Sequence, residues 1–297
     1  MSAPPLLFDR TLRRRRLDRS ATSFAGADFL HRRAAEDAAD RLAAILRRFP
    51  LAVELGGAPG LMAGLVSPEQ VGTLIQAGAS PARLRSASAP RLVADEEHLP
   101  FREQGLDLVV SLLSLHWTND LVGALVQIRR SLKPDGLFLG AMFGGATLTE
   151  LRQSLLIAES ETGAGAGLRV SPFADGFDGA ALLQRAGFTL PVADVDRVTV
   201  RYDHPIKLMA DLRAMGETNM LVERPRTPLT RGVLARAAEV YAERFGLPDG
   251  RIPATFEIVT LTGWAAHESQ QLPLKPGSAK MRLADALQVV EHKLGDE

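Results

Sequence analysis

The sequence predicts an α/β protein built on an open, mostly parallel sheet with helices on both faces. Three observations carry that prediction. Between residues 50 and 143, short apolar runs alternate with stretches of helical period, the pattern of strands joined by helical crossovers. The run at 106–113 is the strongest and suits a strand buried on both faces. A glycine-rich turn, Gly56-Gly57-Ala58-Pro59-Gly60, follows the first run, and glycine at such a turn lets backbone approach a ligand closely.

The elements follow in chain order. Residues 29–49 carry Leu30, Ala34, Ala38, Leu42, Ile45 and Leu46 on one stripe of an amphipathic helix, which Pro50 stops. Strands are predicted at 51–55, 71–75, 91–94, 106–113 and 136–143. The last is opened by the turn Lys133-Pro134-Asp135-Gly136. Helices are predicted at 61–66, 121–132, 148–158 and 179–186, the last ended by Gly187. Two further strands, 194–202 and 256–264, are separated by a helical excursion with helices at 205–215 and 230–245. So long a gap reads as an insertion rather than a hairpin loop. The expected organisation is an N-terminal helical arm (1–49), an α/β domain (50–270, insertion about 203–254) and a tail (271–297) with a helix at 281–294.

Composition narrows the function. Lys+Arg and Asp+Glu number 35 each, so no global charge points to nucleic acid or membrane. The chain has no cysteine, which excludes disulfides, thiolate metal sites and cysteine nucleophiles. No apolar run is long enough to span a bilayer. The six histidines, at 31, 98, 116, 204, 267 and 292, show no HxxxH or HExxH spacing, so no metal is expected. Arg10, Arg13–Arg16 and Arg19 form a basic cluster of the kind that usually makes a solvated face. Asp9 and Asp18 within it argue against a transit peptide. The expected location is cytoplasmic.

The motif Glu54-Leu55-Gly56-Gly57-Ala58-Pro59-Gly60 does not have dinucleotide-binding spacing. It resembles the acidic-x-Gly-x-Gly-x-Gly loop of class I S-adenosylmethionine-dependent methyltransferases, with Ala58 in place of a glycine. Ala94-Asp95-Glu96-Glu97-His98-Leu99-Pro100-Phe101, Leu106-Asp107-Leu108-Val109-Val110-Ser111 and Leu132-Lys133-Pro134-Asp135-Gly136 resemble later segments of that family in order. The resemblance implies a Rossmann-like methyltransferase fold with a seven-stranded mixed sheet, the last strand antiparallel. It implies S-adenosylmethionine as cofactor, held around Glu54, Gly56, Gly57, Ala58, Gly60, Gln76, Gly78, Asp95, Glu96 and Ser111. Asp95 would take the adenine amino group. Gly78 falls where the family has a ribose-binding carboxylate, so that contact would be lost, weakening binding by about one to two decades.

Other segments are more specific. Leu113-Ser114-Leu115-His116-Trp117-Thr118-Asn119-Asp120-Leu121, Gly140-Ala141-Met142-Phe143-Gly144-Gly145, Ser171-Pro172-Phe173, Met215-Gly216-Glu217-Thr218-Asn219 and Gly263-Trp264-Ala265-Ala266-His267-Glu268 lie outside the generic cofactor motifs. They resemble the bacterial relatives of mitochondrial complex I assembly factor 5, an arginine hydroxylase, and more distantly the malonyl-carrier-protein O-methyltransferase of biotin synthesis. The first resemblance implies a protein substrate, an iron–sulfur subunit of respiratory complex I hydroxylated on arginine. The alternatives are carboxyl O-methylation of a carrier-bound substrate, and a non-catalytic assembly chaperone with a degraded cofactor site.

The residues expected to act on substrate are His116, Trp117, Glu217 and Asn219. His116 and Trp117 follow the 106–113 strand at the sheet's ligand edge. The histidine suits a general base or an orienting group. The tryptophan suits packing on a guanidinium or on adenine. A carboxylate at Glu217 suits a bidentate pair with a substrate arginine.

Overall fold

A computed structural model of the chain describes residues 6–271 apart from 57, 59, 88–89, 164–166 and 174–178. One compact unit runs to Ala266, and a second covers 267–297. The helix expected at 281–294 lies outside the described residues.

The compact unit is organised around a seven-stranded sheet. Its strands are β1 (Phe49–Gly56), β2 (Val71–Gly78), β3 (Arg91–Val93), β4 (Leu106–Leu112), β5 (Leu132–Phe143), β6 (Phe188–Tyr202) and β7 (Ile252–Ala265), in the order β3-β2-β1-β4-β5-β7-β6. The first five are parallel, and β7 runs antiparallel between β5 and β6. The sheet is thus mixed and Rossmann-like. Every residue of β4 is buried, which explains its near-continuous apolar sequence. Its one charge, Asp107, accepts hydrogen bonds from the Leu51 N–H at 2.9 Å and from Lys133 Nζ at 2.8 Å.

The helices are α1 (Arg10–Ser20), α2 (Phe29–Ala43), α3 (Pro81–Leu84), α4 (Leu121–Ser131), α5 (Thr149–Glu161), α6 (Gly179–Arg185), α7 (Pro205–Met215) and α8 (Arg231–Phe245). Two apolar clusters cover the two faces. One joins α2, α5, α7 and α8 to the sheet, and the other joins α4 and α6 to it. The helices α7 and α8 fill the stretch between β6 and β7, as the long gap predicts.

Several boundaries differ from expectation for visible reasons. The first long helix ends at Ala43, not at residue 49, because the Gln70 side chain donates to the carbonyls of Leu42 and Ile45. Those carbonyls are the orphan acceptors of a helix end. Phe49 is then free to open β1 as a core residue, and Leu46 faces solvent. The helix expected at 61–66 is a single 3₁₀ turn at Met62–Gly64. Strand β5 starts at Leu132, four residues early, because Leu132 already pairs with Leu106 before a register shift, and Asp135 takes the left-handed turn conformation. Strand β6 starts at Phe188 rather than 194, since the long β7 offers it a partner back to Ala265.

Candidate functional site

The loop after β1 is organised by a buried carboxylate. Glu54 is 3% exposed and points back into its own turn, accepting hydrogen bonds from the Gly60 N–H at 3.2 Å and the Met62 N–H at 3.5 Å. Burial pushes its carboxyl up to about 7, against the pull of those backbone donors. Gly56 has φ +128°, and a Cβ there would lie 2.5 Å from Ser114 Cβ. A Cβ on Gly78 would lie 2.4 Å from the Gly56 carbonyl oxygen. The ends of β1 and β2 therefore pack backbone against backbone, and position 78 has no room for a side chain. Ala58, Gln76 and Ser111 are all buried beside this turn or in the adjoining strands. Gly57 lies outside the described residues.

The loop after β3 is held from outside. Asp95 and Glu96 are clasped by α1, whose Arg10 and Arg13 lie three positions apart on one helix face. Arg10 donates to Asp95 Oδ1 at 2.5 Å, to Glu96, and to the Trp117 carbonyl at 3.1 Å. Arg13 donates to both Glu96 oxygens at 2.9 Å and to Ser114 Oγ at 2.6 Å. Burial opposes ionisation of Glu96, yet the two guanidiniums and Ser114 hold its carboxyl down at about 2. The basic cluster is thus not a solvated face in its first turns, because Arg13 is itself buried. The i, i+3 spacing of Arg10, Arg13 and Arg16 was the available signal in the sequence.

A second cluster assembles from distant segments. The 3₁₀ turn Leu115–Trp117 follows β4 and presents His116 and Trp117. The Trp117 indole N–H donates to Glu217 Oε2 at 2.7 Å. His116 Nε2 lies 3.2 Å from the same oxygen, and its Nδ1 accepts from the Phe143 N–H at 3.4 Å. That arrangement fixes the tautomer with the proton on Nε2, donated to Glu217. Burial keeps His116 below its ordinary value, while the donors around Glu217 hold its carboxyl below its own against the effect of burial. The pair is a neutral imidazole beside a carboxylate. Phe173 meets both rings edge-on, at 5.2 and 5.5 Å between centroids, and Phe8 meets Trp117 at 5.2 Å. Glu217 Oε1 takes no hydrogen bond among the described residues.

The glycine that ends α7 explains why Glu217 points inward. Gly216 has φ +80°, the left-handed helix stop that turns the next residue toward the core. Asn219 is not part of the cluster. Its Oδ1 accepts from the Leu221 N–H at 2.9 Å and its Nδ2 donates to the Leu168 carbonyl at 2.5 Å, so it ties two loops together. His31 on α2 is fully buried, and burial lowers it to about 3 in the field of Glu217, Arg83 and His116. Neither His31 nor Arg83 carries a motif, which is why composition and spacing pass over them. Among the described residues, no group of three or more His, Asp or Glu is placed to hold a metal ion.

A family model described as a methyltransferase domain matches residues 53–140. The chain is 42% identical over 286 residues to the mitochondrial arginine hydroxylase NDUFAF5 of Danio rerio, covering 94% of this chain and 89% of that protein. It is 33% identical over 282 residues to the malonyl-[acyl-carrier protein] O-methyltransferase of Halorhodospira halophila, covering 92% and 94% of the two chains. Among solved structures, the YcgJ protein of Bacillus subtilis matches with a TM-score of 0.52 at 15% identity, over 78% of this chain and 98% of that one. That last likeness is one of fold.

Proposed function

The chain belongs to the family of the mitochondrial arginine hydroxylase NDUFAF5, within the S-adenosylmethionine-dependent methyltransferase superfamily of enzymes, and on that premise we propose that it hydroxylates an arginine of an iron–sulfur subunit during assembly of respiratory complex I. The observation that carries the reading is Glu217. It is a buried carboxylate whose Oε2 is fixed by Trp117 and His116, while Oε1 keeps its acceptor capacity. A guanidinium is the side-chain group that such an oxygen recognises best. Trp117, fully buried, and Phe173 pack against each other beside it and supply apolar surroundings that exclude water. His116, neutral and fixed through Phe143, orients Glu217 and adds no positive charge to repel the substrate.

Fit to S-adenosylmethionine divides by region. Glu54, Gly56, Ala58 and Gly60 build a turn that suits the methionine end, with Glu54 holding the turn through Gly60. The ribose end finds no carboxylate at Gly78, and Asp95 and Glu96 are engaged by α1. Bound there, the cofactor would supply an activated methyl group; putting oxygen into an arginine C–H bond instead requires dioxygen and a two-electron reductant from outside the chain, one oxygen atom entering the bond and the other leaving as water.

Mass spectrometry of the iron–sulfur subunit, from cells carrying the wild-type chain or a Glu217→Gln variant, tests the proposal. An arginine heavier by one oxygen with the wild type, and unmodified with the variant, is the expected result. A gain of one methylene would favour methylation, and an unmodified subunit in both strains would overturn the reading. A second reading, an assembly chaperone that binds no cofactor, draws its support from the Arg10 and Arg13 clasp on Asp95 and Glu96. Calorimetric titration with S-adenosylmethionine separates it, since a chaperone of that kind gives no heat of binding.

A further inference from the structure

Beside the aromatic cluster, a cavity of about 880 Å³ opens between α1, α5, α7 and the 216–230 segment. Six arginines line it: Arg16, Arg19, Arg169, Arg213, Arg224 and Arg226. Among the described residues no acidic one lines it, although acids and bases are equal in number in the chain. Two of the six have carboxylate neighbours, Arg169 with Glu159 at 2.7 Å and Arg224 with Asp9 at 3.6 Å. Arg16 donates only to neutral groups, Thr218 Oγ1 at 2.6 Å, the Asn219 carbonyl and the Met220 sulfur. Arg19, Arg213 and Arg226 make no ion pair among the described residues. The positive charge is concentrated enough that, after burial, Arg224 and Arg19 both act to lower the affinity of Arg16 for its proton. The floor is apolar, with Leu155, Met209 and Leu229.

We propose that this cavity binds an acidic segment of a polypeptide, its carboxylates on the guanidiniums and its apolar side chains on the floor. The layout favours an extended ligand over a compact phosphate. The six guanidiniums come from four separate stretches of chain around a wide cavity, and among the described residues no glycine lines it. Compact phosphate sites instead gather backbone N–H groups at a glycine turn or a helix start. Thr218 and Asn219 line the cavity and follow Glu217 directly. A peptide seated there would touch the two residues that follow Glu217 in the chain. The inference concerns binding alone and stands apart from which reaction that cluster performs.

The test uses the full-length protein and a fluorescently labelled peptide in which glutamates alternate with leucine and serine. Its counterpart has glutamine at every glutamate, and inorganic pyrophosphate serves as the compact competitor. The variants are the triple Arg19→Gln, Arg213→Gln, Arg226→Gln and the triple lysine replacement at the same three exposed positions. Saturable anisotropy with the acidic peptide is expected, weakening as salt rises because exposed charges are screened. The glutamine peptide should not bind. The glutamine triple should weaken binding about tenfold, with an unchanged unfolding midpoint, while the lysine triple retains most of it. Equal binding by the glutamine triple, or no binding of the acidic peptide, overturns the proposal. Pyrophosphate binding without peptide binding also overturns it and assigns the cavity to small phosphates.

Discussion

Glu54, near the end of β1, and Glu96, in the loop after β3, are buried carboxylates at the same edge of the sheet, and they end in opposite states. Glu54 is solvated only by backbone donors of its own turn, at 3.2 and 3.5 Å, and its carboxyl is pushed up to about 7. Glu96 is no less buried, but two arginines and a serine hydroxyl hold it down at about 2. Depth does not decide the charge of a buried carboxylate here; the element laid over it does. Helix α1 lays Arg10 and Arg13 on the β3 loop, so it makes that end of the expected cofactor cleft a fixed ion cluster, while the β1 end is a proton-sensitive turn.

Removing the clasped carboxylate should break that comparison most severely. Glu96→Ala leaves the buried Arg13 without a carboxylate partner while Arg10 keeps Asp95, and breaking such a buried pair from one side costs about 3–5 kcal/mol. Chemical denaturation at neutral pH reads the loss. The pH dependence has a definite sign. The Glu96 value lies below the ordinary 4.5 in the fold, so its contribution of about 3 kcal/mol is complete above pH 4.5 and is lost as pH falls toward 2. In Glu96→Ala that acid-side loss should be absent.

Two substitutions at the ends of β1 and β2 are expected to have smaller effects. Gly78→Asp supplies the carboxylate that the family pattern has, yet its Cβ would meet the Gly56 carbonyl at 2.4 Å. Overpacking of this kind costs about 1–3 kcal/mol. The expected calorimetric result is no gain in S-adenosylmethionine affinity, and tighter binding would show that the β1 turn yields. Glu54→Gln should stabilise. The Glu54 value is raised, so the fold favours its protonated form. The benefit is complete below pH 4.5 and is lost as pH rises through 7. A permanently neutral amide should therefore gain about 3 kcal/mol at pH 8 and flatten the stability profile between those limits, read by denaturation at several pH values.

The same two loops show how far sequence reading reaches. Strand β4, the β1 turn and the Glu54 carboxylate are contiguous patterns, and a residue's role there is set by neighbours a few positions away. The sheet order and the reversed β7 follow from that pattern together with the resemblance. The clasp on Glu96 joins residues 83 positions apart, and the Trp117–Glu217 bond spans 100. Nothing local marks such partners. Glu217 was legible as a candidate only through the resemblance, and its inward turn depends on the left-handed Gly216. Asn219, three residues from the same glycine, was expected in the site and instead braces loops, because its amide finds backbone partners first.

The smallest expected effect isolates which acid anchors α1. Asp95 and Glu96 both receive Arg10, but the Asp95 side chain is 22% exposed and that of Glu96 is fully buried. Water screens the first pair, and exposed pairs contribute about 0–1 kcal/mol. An asparagine at 95 still accepts from the Glu97 N–H, now met at 3.0 Å, and Arg10 keeps Glu96. Asp95→Asn should therefore cost less than about 1 kcal/mol, measured by the same denaturation as Glu96→Ala. If it instead cost as much as Glu96→Ala, the half-buried aspartate would be the anchor and the fully buried glutamate a passenger. The contrast between the two loops would then rest on position along α1 rather than on depth beneath it.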